Sequence, residues 1–372
     1  MPKDGGSGIP QTVRVLGRFL LPVVYFLLAA AVSLHCYRNS MFDIDLLGYA
    51  GNVALTDTGD FVKAHHTVYL EPLTPHLRGL DSDDRQARVM RRRAADPYYS
   101  ALYLPYFSIK PLYVLTLEAL HRLGASVIDA SRAASALSYF GIAVMVWMYT
   151  RSWLGLLVMV LPETMVLGQA NEPDGLSCFL LLFGLWLLFV KRRDIGLLAL
   201  LMAIWVRPDN LLLCLVVLAV LVATGSLDGK KAAVLFLVCC GSQILISHYA
   251  YSWRELYYHT FLGGEPGTVP QFGLRDYLRA MSSGGKNLLH TSAPVFVLLW
   301  LVCVTFAENG VRKVLAIAAL FSLVRFVLFP SYEARYYALF FVSTAAVAVL
   351  LATQALSRTF ATVIRSTFSF PL

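Results

Sequence analysis

The sequence predicts an all-α integral membrane protein with about ten transmembrane helices and a long first extracytoplasmic loop containing a juxtamembrane amphipathic helix. Three observations carry this. Hydrophobic residues make up 58% of the 372-residue chain and charged ones only 15%, with a mean hydropathy of +0.63, a composition unsuited to a water-facing surface. The apolar residues gather into separate runs close to the length of a bilayer crossing, about twenty residues. Between the runs, Lys and Arg recur at alternate turns, as they do when they mark a cytoplasmic face. The runs occupy roughly half of the chain, which leaves too little for a separate soluble catalytic domain. The net charge of +8 is scattered between them and forms no basic stripe with stacking aromatics, so no nucleic-acid partner is expected.

Taken in order, the spans fall near 15–36, 131–150, 153–168, 174–191, 195–206 continuing to 209–225, 232–250, 290–306, 312–329 and 336–355. The first follows Lys3 and Arg14 and shows no small-residue cleavage site, so it reads as a retained anchor with a cytoplasmic amino terminus. Residues 1–14 are then a cytoplasmic tail, 15–356 the polytopic domain and 357–372 a second cytoplasmic tail, in the plasma membrane. Arg151, Lys191-Arg192-Arg193, Lys230-Lys231 and Arg312-Lys313 share the cytoplasmic face with Arg358 and Arg365. The opposite turns hold 169–174, 207–210, the outer loop 250–289 and 330–335. Within the outer loop 37–130, the segment 108–123 alternates Leu112, Leu115, Leu120 and Leu123 with Lys110, Glu118, His121 and Arg122, which suits an interfacial helix. The break at Arg207-Pro208 either separates two spans or kinks one.

Charge then divides unevenly. Only Asp4, Asp194, Asp228 and Glu308 of the 23 acidic residues fall on the cytoplasmic face, so chemistry is expected on the other side. Cys178, Cys214, Cys239, Cys240 and Cys303 lie in spans and Cys36 at a span boundary, which offers no disulfide framework. There is no HExxH, no CxxC and no P-loop.

Asp43 and Asp45 follow the first span directly. A carboxylate at a low-dielectric interface can serve as general base on a hydroxyl while its neighbour orients the acceptor; the other reading is a solvated pair that ends the helix. Three further turns place Glu172 and Asp174, then Arg207 and Asp209, then Tyr332, Glu333, Arg335 and Tyr336 against span ends. Charges at membrane depth usually face a bundle interior or an aqueous cavity. Asp174 and Asp209 read equally well as helix caps, whereas Arg207 and Arg335 run against the orientation rule. Lys110, Arg207 and Arg335 are the candidate phosphate-holding cations, with Lys110 alternatively snorkelling. Glu172, Asp174, Asp209, Tyr332, Glu333 and Tyr336 are candidate substrate contacts. His65-His66 with Glu71 matches no particular metal geometry and reads as structural, and a divalent cofactor is left open. The stretch 81–93, with Arg91-Arg92-Arg93, reads as solvated, and the Gly- and Ser-rich 263–287 as a lid or loose loop.

The pattern resembles the polytopic GT-C class glycosyltransferases that use polyprenyl-phosphate sugars, including aminoarabinose and protein-mannosyl transferases. The similar features are Asp43-Ile44-Asp45, Lys110-Pro111-Leu112-Tyr113, Gly124 followed by Ser131-Arg132, Asp174 heading a span, Arg207-Pro208, and Arg335-Tyr336, in that order along the chain. The resemblance implies an inverting transfer from a polyprenyl-phosphate-linked donor in the bilayer to an acceptor hydroxyl. Asp43 or Asp45 would be the base, and Lys110, Arg207 or Arg335 would stabilise the departing phosphate. The acceptor, a glycan, lipid or protein, stays open. A transporter or flippase of a lipid-linked or anionic solute, or a polysaccharide ligase or polymerase, are the competing expectations. A transporter should show paired broken spans, and the sequence offers one break.

Overall fold

The computed structural model describes residues 11–41, 44–70, 85–248, 251, 255–256, 273–331 and 333–368. Among them every regular element is helical and none is a strand. The chain runs α1 (Gln11–Arg38), α2 (Ile44–Thr58), α3 (Phe61–His65) continued by a π-helical turn to Leu70, α4 (Arg85–Ala95), α5 (Pro97–Ala101), α6 (Leu104–Ser108) and α7 (Pro111–Arg122). Then come α8 (Val127–Thr150), α9 (Gly155–Met159), α10 (Pro162–Gln169), α11 (Asp174–Phe189), α12 (Arg193–Val206), a 3-10 turn Pro208–Asn210, and α13 (Leu211–Ala223). The chain ends with α14 (Gly229–His248), α15 (Leu274–Leu289), α16 (Ala293–Phe306), α17 (Asn309–Leu328), a 3-10 turn Ala334–Tyr337, and α18 (Ala338–Phe368).

Four segments are long and apolar enough to cross a bilayer: Leu20–Arg38 in α1, α8, α14, and Ala334–Thr359 at α18. Counting each bent pair as one span adds α10 with α11, bent by 117°, and α15 with α16, bent by 75°, for up to six. The remaining apolar helices fall short for stated reasons. With 14 and 13 residues, α12 and α13 reach about 20 Å against the ~30 Å of a hydrocarbon core. Long enough at 20 residues, α17 carries Arg312, Lys313 and Arg325.

The core centres on α8, which packs against α1, α2, α7, α10, α11 and α18. Its start is set by Ser126, whose Oγ accepts from the Asp129 N–H at 3.1 Å and donates to the Asp129 carboxylate at 2.7 Å, a mutual cap. It stops at Arg151 in the left-handed region, φ 50°. Small residues along it, Ala134, Ser135, Ser138 and Ala143, are buried and let neighbours approach closely. Where it meets α10, a Cβ on Gly168 would stand 2.9 Å from the Tyr139 ring.

Several expectations are revised. The segment 37–130 is mostly folded helix where described. The reason is visible in α2, whose Leu46, Leu47, Ala50, Val53 and Ala54 are buried at helical spacing beneath α6, α7 and α8. The helix expected over 108–123 runs Pro111–Arg122, with Lys110 as its N-cap residue and Pro111 in its first turn, where a proline costs no hydrogen bond. The span expected at 153–168 is interrupted between Met159 and Pro162. Part of the expected loose loop 263–287 is α15, and α18 continues through much of the expected tail 357–372. Two sharp bends occur besides the break at Arg207-Pro208. Arg93 is 1% exposed, its guanidinium lying 4.5 Å from the Tyr103 ring centre, so the solvated reading of 81–93 fails there; residues 81–84 lie outside the described residues.

Candidate active site

The end of the bundle where α1 finishes is organised by the turn between α10 and α11. Met41 N donates to Gln169 O at 2.8 Å, and Asn171 Nδ2 donates back to Met41 O. Ser135 Oγ donates to Ala170 O at 2.7 Å and Ser131 Oγ to Asn171 O at 3.2 Å, while Tyr113 shares the Ser131 hydroxyl at 3.1 Å. These bonds satisfy backbone groups of a buried turn and join α1, α7, α8 and α11 before any candidate residue is placed.

On that frame opens a cavity of about 880 Å³, within the range of small-molecule sites. Asp45, Lys110, Arg207, Asp209, Glu333, Arg335 and Tyr336 all line it, joined by Glu163 and Arg325. Asp45 stands in the first turn of α2, where the helix dipole favours an anion, and its side chain is 31% exposed. Lys110 heads α7. Apolar walls come from Met41, Phe107, Ile109, Val166, Leu256 and Phe329.

The arginines are committed to carboxylates. Arg207 pairs with Asp174 through Nη1 and with Asp209 through Nε at 3.1 Å, and Arg325 reaches the other Asp209 oxygen at 2.6 Å. Arg335 pairs with Glu172 and Glu333 and lies 3.9 Å from Asp45. The Tyr336 ring is shared by all three guanidinium groups, at 4.9, 4.7 and 5.1 Å from its centre for Arg207, Arg325 and Arg335, a geometry of cation–π attraction. Lys110 differs. Its ammonium donates to the Tyr49 hydroxyl, and no described carboxylate lies within ion-pair distance of it. Burial pushes this ammonium down to about 8, with Arg207 adding to the shift and Asp45 and Asp174 opposing it. Burial likewise raises the Tyr49 phenol well above its ordinary value.

No family model, curated protein or solved structure matches the chain. The site therefore stands on its own geometry.

Of the sequence candidates, Asp43 and Tyr332 lie outside the described residues. Glu172 and Asp174, expected to touch substrate, sit behind the cavity wall at 3% and 4% exposure, where they neutralise Arg335 and Arg207. The aspartate that heads α11 thus holds a guanidinium from the end of α12. His65 donates through Nε2 to Arg93 O at 2.7 Å and stacks on Tyr69, a structural role; Glu71 lies outside the described residues. Among these residues no group of three or more His, Cys, Asp or Glu is placed to hold a metal ion. Tyr49 was missed. The signal was its spacing, four residues after Asp45 on one helical face.

Proposed function

We propose that this chain is a membrane glycosyltransferase that moves a sugar from a polyprenyl-phosphate donor to an acceptor hydroxyl, with inversion. The observation that carries the reading is that Asp45 and Lys110, at the starts of α2 and α7, open into one cavity in which every arginine already has carboxylate partners. A half-buried ammonium with no carboxylate partner among the described residues suits an incoming anion, and a partly exposed carboxylate nearby suits an incoming hydroxyl. Asp45 takes the acceptor proton, the acceptor oxygen bonds to the anomeric carbon, and the bond from that carbon to the phosphate oxygen breaks. The electron pair leaves with the polyprenyl phosphate, whose charge Lys110 meets. Arg207 and Arg335 then act mainly by shaping the wall and its field. Asp43, beside Asp45 in sequence, is the other candidate base. Tyr332, Glu333, Asp209 and Tyr336 are the proposed sugar contacts.

The membrane arrangement belongs to the same proposal: about ten crossings of the plasma membrane, both termini cytoplasmic, and the cavity on the extracytoplasmic side, where the lipid phosphate lies at the interface and its tail among helices.

The test is reconstitution with a panel of polyprenyl-phosphate sugars. Asp45→Asn is expected to lower turnover by about 10²–10⁴-fold and Lys110→Ala by about 10²–10³-fold, neither with a lower thermal stability than the wild type. Glu172→Gln, which strips Arg335 of a buried partner, should lower stability as well. Wild-type turnover in Asp45→Asn together with loss in Asp43→Asn would move the base to Asp43, and wild-type turnover in both would remove the mechanism. The bent helix pairs favour a second reading, transport of an anionic lipid-linked solute; flux across the bilayer with no transfer from any donor would decide for it.

A further inference from the structure

The helix α15 has no part in the chemistry above, yet its residues are sorted with unusual regularity. At about 100° per residue, Leu274, Leu278 and Leu289 fall within roughly 60° of arc, and all three are exposed, at 73%, 56% and 70%. Immediately beside them Arg275, Arg279 and Lys286 fall within roughly 40°, also exposed. On the other flank of the leucines lie Tyr277 and Gly284, which hold the helix to the protein. Tyr277 donates its hydroxyl to Val327 O, and Gly284 lies so near the Pro330 carbonyl that a Cβ there would stand 2.8 Å from its oxygen.

Around the helix the order is therefore protein contact, exposed leucines, then cations. Its one acidic residue, Asp276, is turned to the helix's own start, accepting from Gly273 N at 3.1 Å. None of the three cations has a carboxylate partner among the described residues. Direction completes the picture, because α15 meets the apolar α16 at 75°. If α16 runs along the membrane normal, α15 lies close to the membrane plane, with the leucines toward the acyl chains and the cations at the depth of lipid phosphates. Thr291 and Ser292, which join the two helices, line the cavity, so the carboxy-terminal end of α15 leads to its wall.

We infer that α15 is an in-plane binding strip for anionic phospholipid headgroups, with Arg275, Arg279 and Lys286 as its contacts. The three cations extend over about 16 Å of helix, enough for two adjacent headgroups. Phosphate oxygens meet the guanidinium groups as charge-assisted hydrogen bonds, and the leucines hold the depth that makes those bonds reachable. A neutral zwitterionic surface offers the leucines the same burial without the net charge.

The experiment uses the full chain in mixed micelles and vesicles of phosphatidylcholine and phosphatidylglycerol. Native mass spectrometry should find phosphatidylglycerol retained on the wild type in preference to phosphatidylcholine. Replacing each cation, as Arg275→Gln, Arg279→Gln and Lys286→Gln, should reduce the preference by about fivefold per charge, from about 1 kcal/mol each. Equal retention in the triple variant overturns the assignment, and equal retention combined with weaker glycosyl transfer would point to an anionic acceptor on this strip instead. Spin labels at Leu278→Cys and Ser283→Cys, each read against an identically treated wild type carrying its six native free cysteines, test the placement separately. Oxygen should reach the first more readily and a water-soluble nickel reagent the second; equal access at both sinks the in-plane helix whatever the triple variant does.

Discussion

Lys110 is the residue on which pH acts most directly. Its ammonium is held near 8 by burial, far enough below the ordinary lysine value that the charge is lost over an accessible range. Under the proposed mechanism, kcat/KM toward a lipid-phosphate donor should therefore fall as pH rises through about 8. The stability effect has the opposite sense. Between about 8 and 10.5 the unfolded chain binds the proton that the folded chain has released, so stability rises with pH across that window. An alkaline loss of activity is then a change at the site and not unfolding driven by this group. Lys110→Arg keeps its charge at any such pH, and where it retains activity its profile should stay flat on the alkaline side. A fall at the same pH in both proteins would exclude Lys110 as the titrating group. How far such roles can be read from sequence differs from residue to residue. The pairing of Arg207 with Asp209 is two positions away, but Asp174 and Arg325, which complete that cluster, come from α11 and α17. A local pattern holds no record of which distant helix end will face it. Arg93 shows the same limit, since a run of three arginines signals solvent unless one knows that Tyr69 and Tyr103 close over the third.

At the scale of elements, apolar run length found α1, α8, α11, α12, α13, α14, α16, α17 and α18 near their places but passed over α2 and α15. Both are amphipathic, and Asn52, Thr56 and Asp57 in one, Arg275, Arg279 and Lys286 in the other, interrupt any search for unbroken hydrophobic stretches. Helical spacing was the signal that would have found them. Close contacts between helices are also locally encoded, by glycine. Where α11 crosses α12, a Cβ on Gly196 would lie 2.9 Å from the Gly184 carbonyl oxygen, a backbone atom that moves only if the helices separate. Gly196→Ala should cost about 1–3 kcal/mol, read as a lower unfolding temperature in detergent. It should also reduce activity, because α12 delivers Arg207 to Asp174 at the head of α11. Gly241→Ala in α14 is the control, as its Cβ would meet nothing within 4 Å and helical alanine is favoured over glycine. Equal destabilisation by the two changes would show that the crossing is not limited by these glycines.

Across the whole molecule, the charge pattern and the hydrogen bonds converge on one account of its two ends. The turn 170–171 is tied to Ser131 and Ser135 near the start of α8, whereas Thr353 of α18 donates to Ser152 just past its end, at 3.1 Å. Arg193, at the start of α12, bonds Ser226 O beyond α13. With 24 residues, α8 extends about 36 Å, more than the ~30 Å hydrocarbon thickness. Residue 125 therefore belongs with the cavity end, and residues 151, 192 and 226 with the end that carries Arg151, Lys191 and Lys230. The proposed topology, which follows the positive-inside tendency, puts the latter on the cytoplasmic side. Reporter fusions should then report residue 125 outside and residues 151, 192 and 230 inside. A cytoplasmic signal at 125 together with one at 151 would mean that α8 does not cross. A uniform inversion of all four would keep the fold while moving the cavity to the cytoplasmic face, where a donor presented on the other leaflet could not reach Lys110.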